Sequence, residues 1–176
     1  MLKKINKTKE LKRQYIQVKI TDAILETKDF FPIKYNPNFP YNSTSILLII
    51  LSQTLSKINY DYLSGIMMKL QYEYCFPFDY LFINGETADL GEDLSLLKEL
   101  GLVAEDLSNN FFLTSKGEKA ANIIKTNIET NLLENFTKYP TLESISNVIS
   151  EFLEVSMSKI KEVNKNHWLK YKNIVK

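Results

Sequence analysis

The sequence predicts a mainly α-helical fold with a small β wing, and residues 89–117 carry most of the evidence. Leucines recur at helical spacing over residues 90–100, and Gly101 follows them as a residue suited to a left-handed helix stop. Residues 102–107 and 111–113 are predicted strands, because the Ser and Asn residues between them favour a tight turn. Helix, two-stranded wing and helix, in this order, predict a winged helix-turn-helix domain followed by two long C-terminal helices.

Capping residues predict where the helices of this domain begin. Asp89 with Glu92, and Ser115 with Glu118, have the spacing of capping boxes. The two earlier helices are predicted to begin at Asn42 or Ser43 and at Asn59 or Asp61, the first of them running to about residue 57. That first helix carries no charge over residues 43–56, so we expect it at the centre of the core.

Other residues predict how the domain packs. Gly65 lies within the second helix, where the missing side chain permits a close helix crossing. Asn84-Gly85 is a strong signal for a tight turn. The predicted shared core consists of residues 46–51 with Leu94, Leu97 and Leu100.

Two long amphipathic helices are predicted after the wing. The first begins at Ser115 and ends near residue 138, before Pro140. Thr141 caps the second, whose apolar stripe extends to Val163. The predicted organisation is a basic arm, short strand and aromatic extended strap over 1–41, the winged-helix domain over 42–125, and C-terminal helices with a basic tail over 126–176.

Charge is distributed unevenly along the chain, although the net charge is only +1. Residues 1–20 carry seven Lys and Arg against one Glu, a net charge of +6. Residues 159–176 carry six Lys against one Glu, a net charge of +5, which leaves −10 for the body between them. The basic ends are therefore the parts of the chain that could attract a polyanion.

The two ends also combine aromatic or apolar residues with lysine, which is typical of contact segments. Aromatic side chains are enriched at interface hot spots, and neither end is predicted to be needed for the trihelical core. The predicted partner-binding residues are Phe30, Phe31, Phe39, Tyr41, Trp168 and Tyr171, and the candidate nucleic-acid contacts are Lys12, Arg13, Lys19, Lys170 and Lys172. The alternative is that these segments strap the chain's own surface.

Few residues are placed for catalysis or for metal binding. His167 is the single histidine and is interpreted as a surface or interface residue, and no Cys and His spacing suits zinc. The acidic pairs Glu92-Asp93 and Glu105-Asp106 are expected to form a solvated face, because adjacent side chains point apart. The sequence therefore predicts a protein that is not an enzyme and that needs no cofactor, metal or small-molecule substrate.

Two further features predict a cytoplasmic protein without a membrane partner. Cys75 is the single cysteine, so no internal disulfide can form, and the basic start is not followed by an apolar signal segment. The longest strongly apolar run, residues 46–51, is far shorter than the roughly 20 residues that span a bilayer.

The charge of the predicted recognition helix argues against reading of DNA bases. Residues 90–100 carry three carboxylates against one lysine, and the wing adds two carboxylates before the first basic residue. Phosphate contacts dominate affinity for DNA, so an acidic helix and wing are expected to be repelled. DNA would then be contacted only indirectly or through the basic ends.

Residues 43–125 resemble small bacterial winged-helix families. The phrases LKELGLV at 97–103 and FFLTSKGEKA at 111–120 are similar to the SocA-like (Panacea) antitoxin-associated domain and to the middle component of three-component ABC-ATPase systems, which includes the accessory subunit of Lamassu-type antiphage complexes. The second resemblance implies a non-enzymatic accessory subunit that sits beside a large SMC-like ATPase and an effector. The alternative is a DNA-binding winged-helix transcriptional regulator or antitoxin.

Overall fold

The computed structural model describes residues 42–54, 57–74, 76, 80–135 and 141–172. These residues form six helices and three short strands. In chain order they are α1 (Ser43–Gln53), β1 (Ile58–Asn59), α2 (Tyr60–Glu73), α3 (Ala88–Glu99), β2 (Val103–Glu105), β3 (Asn110–Leu113), α4 (Ser115–Asn135), α5 (Leu142–Leu153) and α6 (Ile160–Lys172). A mainly helical fold with a small sheet is confirmed, whereas the arm, strand and strap predicted for 1–41 lie outside the described residues.

The three strands form one antiparallel sheet in the order β1-β3-β2. β3 is central, with Ile58 opposite Phe111 on one side and Val103 opposite Leu113 on the other. β1 was not predicted, because the first helix was expected to continue to about residue 57. Helix α1 instead ends at Gln53, and Thr54 adopts an extended backbone and bonds its hydroxyl to the Leu51 carbonyl.

Helix α1 is buried on every side and occupies the centre of the core. Its residues 43–51 are all buried, and its neighbours are α3, α4, α5 and β3. Leu94 and Leu97 are 2% and 0% exposed in the same cluster, and Leu100 packs partly buried against it. The predictions of a central first helix and of one shared core are both confirmed.

Two helix starts differ from the predicted ones by one or two residues. Thr87, not Asp89, caps α3, since its hydroxyl accepts from the Asp89 N–H and its backbone is extended. Thr114, not Ser115, caps α4, since its hydroxyl accepts from the Gly117 N–H at 3.1 Å. The remaining predicted caps, Asn42, Asn59 and Thr141, are confirmed.

The last predicted helix is two helices, α5 and α6, separated by turns over residues 154–159. The break is closed by backbone bonds from the Val155 N–H to the Phe152 carbonyl and from the Lys159 N–H to the Ser156 carbonyl. In one continuous helix, Phe152 and His167 would lie about 22 Å apart along the axis. Their ring centroids are 5.7 Å apart, because α6 folds back and packs beside α5 on α2.

The packing of α5 and α6 depends on Gly65 and on the turn at Asn84-Gly85. A Cβ at Gly65 would overlap the Phe152 ring and the Asn164 carboxamide, so the predicted close crossing is confirmed. Asn84 and Gly85 have φ of 54° and 87° between the paired Ile83 and Glu86, which confirms the tight turn. Ile160 and Tyr171 belong to the buried cluster, so part of the predicted tail packs into the core.

Candidate functional site

Helix α3 and the β2–β3 hairpin form an acidic face of the molecule. Between residues 88 and 110 the sequence has one lysine, Lys98, and six carboxylates: Asp89, Glu92, Asp93, Glu99, Glu105 and Asp106. Lys98 forms a salt bridge with Glu105, so its positive charge is offset within this surface. We call the surface formed by residues 88–110 the acidic face, and its net charge is −5.

Several of these carboxylates also hold the fold together, which differs from the solvated face that the sequence predicts. Asp93 accepts hydrogen bonds from the hydroxyls of Ser43 and Tyr80, the latter at 2.6 Å. Burial raises the pKa of Tyr80 well above its ordinary value, and the neighbouring Asp93 charge adds to the effect. Asp93 therefore ties α3 to the start of α1.

Asp106 fixes the tip of the β2–β3 hairpin. Its carboxylate accepts from the N–H groups of Ser108 and Asn110 at 2.9 and 3.0 Å, and Lys57 reaches it at 3.0 Å. The hydrogen bond from Asn110, followed by that from Lys57, holds the pKa of Asp106 well below its usual range. The turn ordered in this way leaves Leu107 fully exposed.

An open groove lies beside the start of α3. It has a volume of about 920 Å³, and its described lining comprises Tyr60, Leu81, Ile83, Asn84, Glu86, Thr87, Ala88 and Asp89. The Tyr60 hydroxyl donates to the Thr87 carbonyl at 2.5 Å. Burial raises the pKa of Tyr60, and the negative charges of Glu86, Asp61 and Asp89 raise it further. We call this surface the α3 groove.

The predicted contact residues of the tail lie on α6, where they bond to the chain's own body. Tyr171 is buried and donates to Glu73 at 2.7 Å, so its side chain cannot contact a partner in this fold. Lys170 reaches the same carboxylate at 2.7 Å. Trp168 is half-buried, its indole N–H donates to the Phe82 carbonyl at 2.8 Å, and Lys172 lies over its ring.

The other predicted contact residues cannot be placed in relation to these. Phe30, Phe31, Phe39 and Tyr41 lie outside the described residues, as do Lys12, Arg13 and Lys19. Cys75 lies outside them as well.

A partly buried ion-pair network joins α2, α5 and α6. The Lys69 ammonium bonds to Glu151 at 2.6 Å and lies 3.4 Å from Glu73, although Lys69 is only 8% exposed. Burial lowers the pKa of Lys69, but the hydrogen bonds and charges of Glu151 and Glu73 together outweigh it and raise the pKa above its ordinary value. Sequence reasoning missed this network, and the only signal was Glu73 four residues after a lysine in an apolar stripe.

His167, interpreted from the sequence as a surface or interface residue, is partly buried and packs against the chain's own aromatic side chains. Its ring packs against Phe152, and its Nδ1 lies 3.4 Å from the Tyr171 hydroxyl. Burial lowers the pKa of His167, and the Lys69 charge lowers it further. Among the described residues, no three His, Cys, Asp or Glu side chains converge as metal ligands would.

The comparisons with known proteins give no relative from which a role could be transferred. No family model matches the chain, and neither the curated proteins nor the solved structures contain a match. Within the part of the chain that the structure describes, no helix has the length and apolar character to cross a membrane. The acidic face and the α3 groove are therefore the features from which a function can be argued.

Proposed function

We propose that α1, β1, α2, α3, β2 and β3 constitute a winged helix-turn-helix domain. The order of the elements along the chain supports this proposal. The sheet order β1-β3-β2 supports it as well, because β1 pairs with the second strand of the β2–β3 hairpin. In this assignment α3 occupies the position of the recognition helix and the β2–β3 hairpin is the wing.

The chain acts as a non-enzymatic accessory subunit that binds a larger partner protein. The acidic face carries this proposal, since it is the surface with which a winged helix would approach DNA. Residues 88–110 carry a net charge of −5, and the carboxylates of this face outnumber Lys98 and Lys57, which pair with Glu105 and Asp106, so the face would repel phosphates. A fully exposed Leu107 on a rigid hairpin tip is, in contrast, a side chain suited to an apolar pocket of another protein.

The partner class follows from the sequence resemblance. The phrases at 97–103 and 111–120 resemble the middle component of three-component ATPase systems, which supports an SMC-like ATPase in a bacterial antiphage complex as the partner.

A DNA-binding regulator or antitoxin is the second candidate, and helix α6 is the observation in its favour. Its exposed flank carries Lys161, Lys165 and Lys172 within three turns. Lys161 faces Asp61 and Glu86 at 3.9 and 3.8 Å, so part of this charge is offset within the molecule. The net positive charge of this flank is thus smaller than its number of lysines suggests.

Co-expression distinguishes the two candidates. The full chain is produced together with each protein encoded by its neighbouring genes, and the products are separated by size-exclusion chromatography with light scattering. The accessory-subunit proposal expects a complex of defined mass with one larger neighbour. Failure to associate with any neighbour, together with tight binding to one DNA sequence, would overturn it in favour of the regulator.

A further inference from the structure

The α3 groove displays two large apolar side chains on one rigid segment. Exposure alternates along residues 80–83, so successive side chains point to opposite sides. Tyr80 and Phe82 are each 4% exposed on the inner side, whereas Leu81 and Ile83 are 70% and 59% exposed on the outer side. Leu81 and Ile83 both line the groove, so part of its lining is apolar.

The chain holds this segment in place from several directions. The Leu81 N–H donates to the Asp89 carboxylate at 3.1 Å, and the Phe82 carbonyl accepts from the Trp168 indole at 2.8 Å. Two backbone hydrogen bonds, of 2.8 and 3.1 Å, join Ile83 to Glu86. A partner would therefore meet a preorganised surface and would lose little affinity to ordering of the groove.

The rim of the groove is acidic. Glu86 and Asp89 line the groove. The Lys161 ammonium lies 3.8 Å from Glu86 and 3.9 Å from Asp61, which places Asp61 beside the rim. Glu86 and Asp61 share the single ammonium of Lys161, so these two carboxylates outnumber the cation that they face. Glu86 is the most exposed of the paired carboxylates, with 63% of its side chain accessible. The rim is thus complementary to a cationic ligand and not to a polyanion.

We propose that the α3 groove is a docking site for a segment of the partner protein in which leucine-like side chains alternate with lysine or arginine. The apolar side chains of that segment cover Leu81 and Ile83, and its cations meet Glu86, whose side chain is 63% accessible. This inference rests on the proposed accessory-subunit function and names the chemistry that the partner presents.

Three short peptides of equal length test the chemistry directly. One alternates Leu with Lys, one alternates Leu with Glu, and one alternates Ser with Lys, and each is titrated into the full chain by calorimetry and by amide NMR. We expect binding of the Leu–Lys peptide alone, with shifts centred on Tyr60 and residues 81–89. Equal binding of the Leu–Glu peptide, or shifts confined to another surface, would overturn the proposal.

Variants of the groove and of an apolar position outside it supply the matched comparison. Leu81→Ser with Ile83→Ser should weaken binding of the Leu–Lys peptide at least tenfold, and Glu86→Gln should weaken it severalfold with a smaller dependence on salt. Leu153→Ser removes a comparably exposed apolar side chain, 51% accessible at the end of α5, and should leave the affinity unchanged. Unchanged affinity in the double groove variant, with an unchanged melting temperature, would also overturn the proposal.

Complex formation by the variants distinguishes an incorrect docking site from an incorrect proposed function. If the full chain forms a complex with a neighbour and Leu81→Ser/Ile83→Ser forms it equally well, the docking site is wrong and the accessory function stands. If the wild-type chain forms no complex with any neighbour, the accessory function is wrong. Loss of the complex in the double groove variant, but not in Leu153→Ser, supports both.

Discussion

Glu73 connects α2 with α6 through one carboxylate. It accepts hydrogen bonds from Lys170 and Tyr171, both on α6, and lies near Lys69 on its own helix. Lys69 in turn bonds to Glu151 on α5. Burial alone would raise the pKa of Glu73, but the hydrogen bonds from Lys170 and Tyr171 outweigh it and lower the pKa to about 2.

This lowered pKa predicts a dependence of stability on pH. Because the folded-state pKa of about 2 lies below the ordinary value of 4.5, the stabilisation is fully present above pH 4.5 and is lost as the pH falls towards 2. Glu73→Gln should therefore be less stable than wild type at pH 7, and the difference should shrink at pH 3. Urea unfolding at both pH values measures it, with the surface variant Glu118→Gln as control. A difference that is the same at both pH values would contradict the account.

Leu97 tests the shared core at the scale of one side chain. It is 0% exposed and packs in the cluster that contains α1. Leu97→Ala should reduce the free energy of unfolding by roughly 2–5 kcal/mol, because it leaves a cavity. Leu107→Ala, at the fully exposed hairpin tip, should change it by less than about 0.5 kcal/mol. Equal effects of the two variants in chemical unfolding would show that Leu97 is not a core residue.

At the scale of elements, the crossing of α2 with α5 and α6 depends on Gly65. A methyl group there would overlap Phe152 and Asn164, so Gly65→Ala should cost about 1–3 kcal/mol of stability through overpacking. Gly91→Ala on α3 is the matched control, since its new methyl group would meet only the Tyr60 hydroxyl at 3.9 Å. In a helix interior that exchange should be neutral or stabilising by about 0.5–1 kcal/mol. Thermal melting of the two variants should give shifts of opposite sign, and a stabilised Gly65→Ala would contradict the packing described here.

The sequence predicts elements well where local chemistry decides them. The charge-free helix, the Asn84-Gly85 turn and the hairpin turn with Asn109 at φ 56° follow from residue types within a few positions. The observed caps of α3 and α4 lie two positions and one position before the predicted ones. In both helices the observed cap is a threonine, and threonine also caps helices well. Such choices depend on backbone conformation that residue type alone does not fix.

Contacts between distant residues could not be predicted in the same way. The apolar stripe of α5 continues into α6 without a break in period, so nothing in the sequence marked the reversal at residues 154–159. The α3 groove was not predicted for a related reason. Leu81 and Ile83 are apolar residues, and they point outward because Tyr80 and Phe82, which alternate with them along the chain, are buried. Lys69 and Glu151 are 82 positions apart and meet only in the folded chain.

For the whole molecule, the C-terminal helix is part of the folding unit. Helix α6 contributes Ile160, Asn164 and Tyr171, which are all buried against the rest of the chain. A chain that ends at residue 158 should therefore lose cooperative thermal unfolding or melt at a much lower temperature, since burial of these groups contributes several kcal/mol. Differential scanning calorimetry of the two lengths measures the effect. An unchanged melting temperature would show that α6 is an appendage.

The central claim is that the acidic face of this fold is closed to DNA and serves contacts with protein. Binding of labelled duplex DNA to the full chain, followed by fluorescence anisotropy over a range of salt concentrations, tests it most directly. The account predicts weak binding that is equal for all sequences and disappears as salt rises. It also predicts a gain in affinity for Ser95→Lys/Glu99→Lys, which adds a positive charge at one exposed position of α3 and reverses the charge at another. Tight, salt-resistant binding of the wild-type chain to one sequence would contradict it.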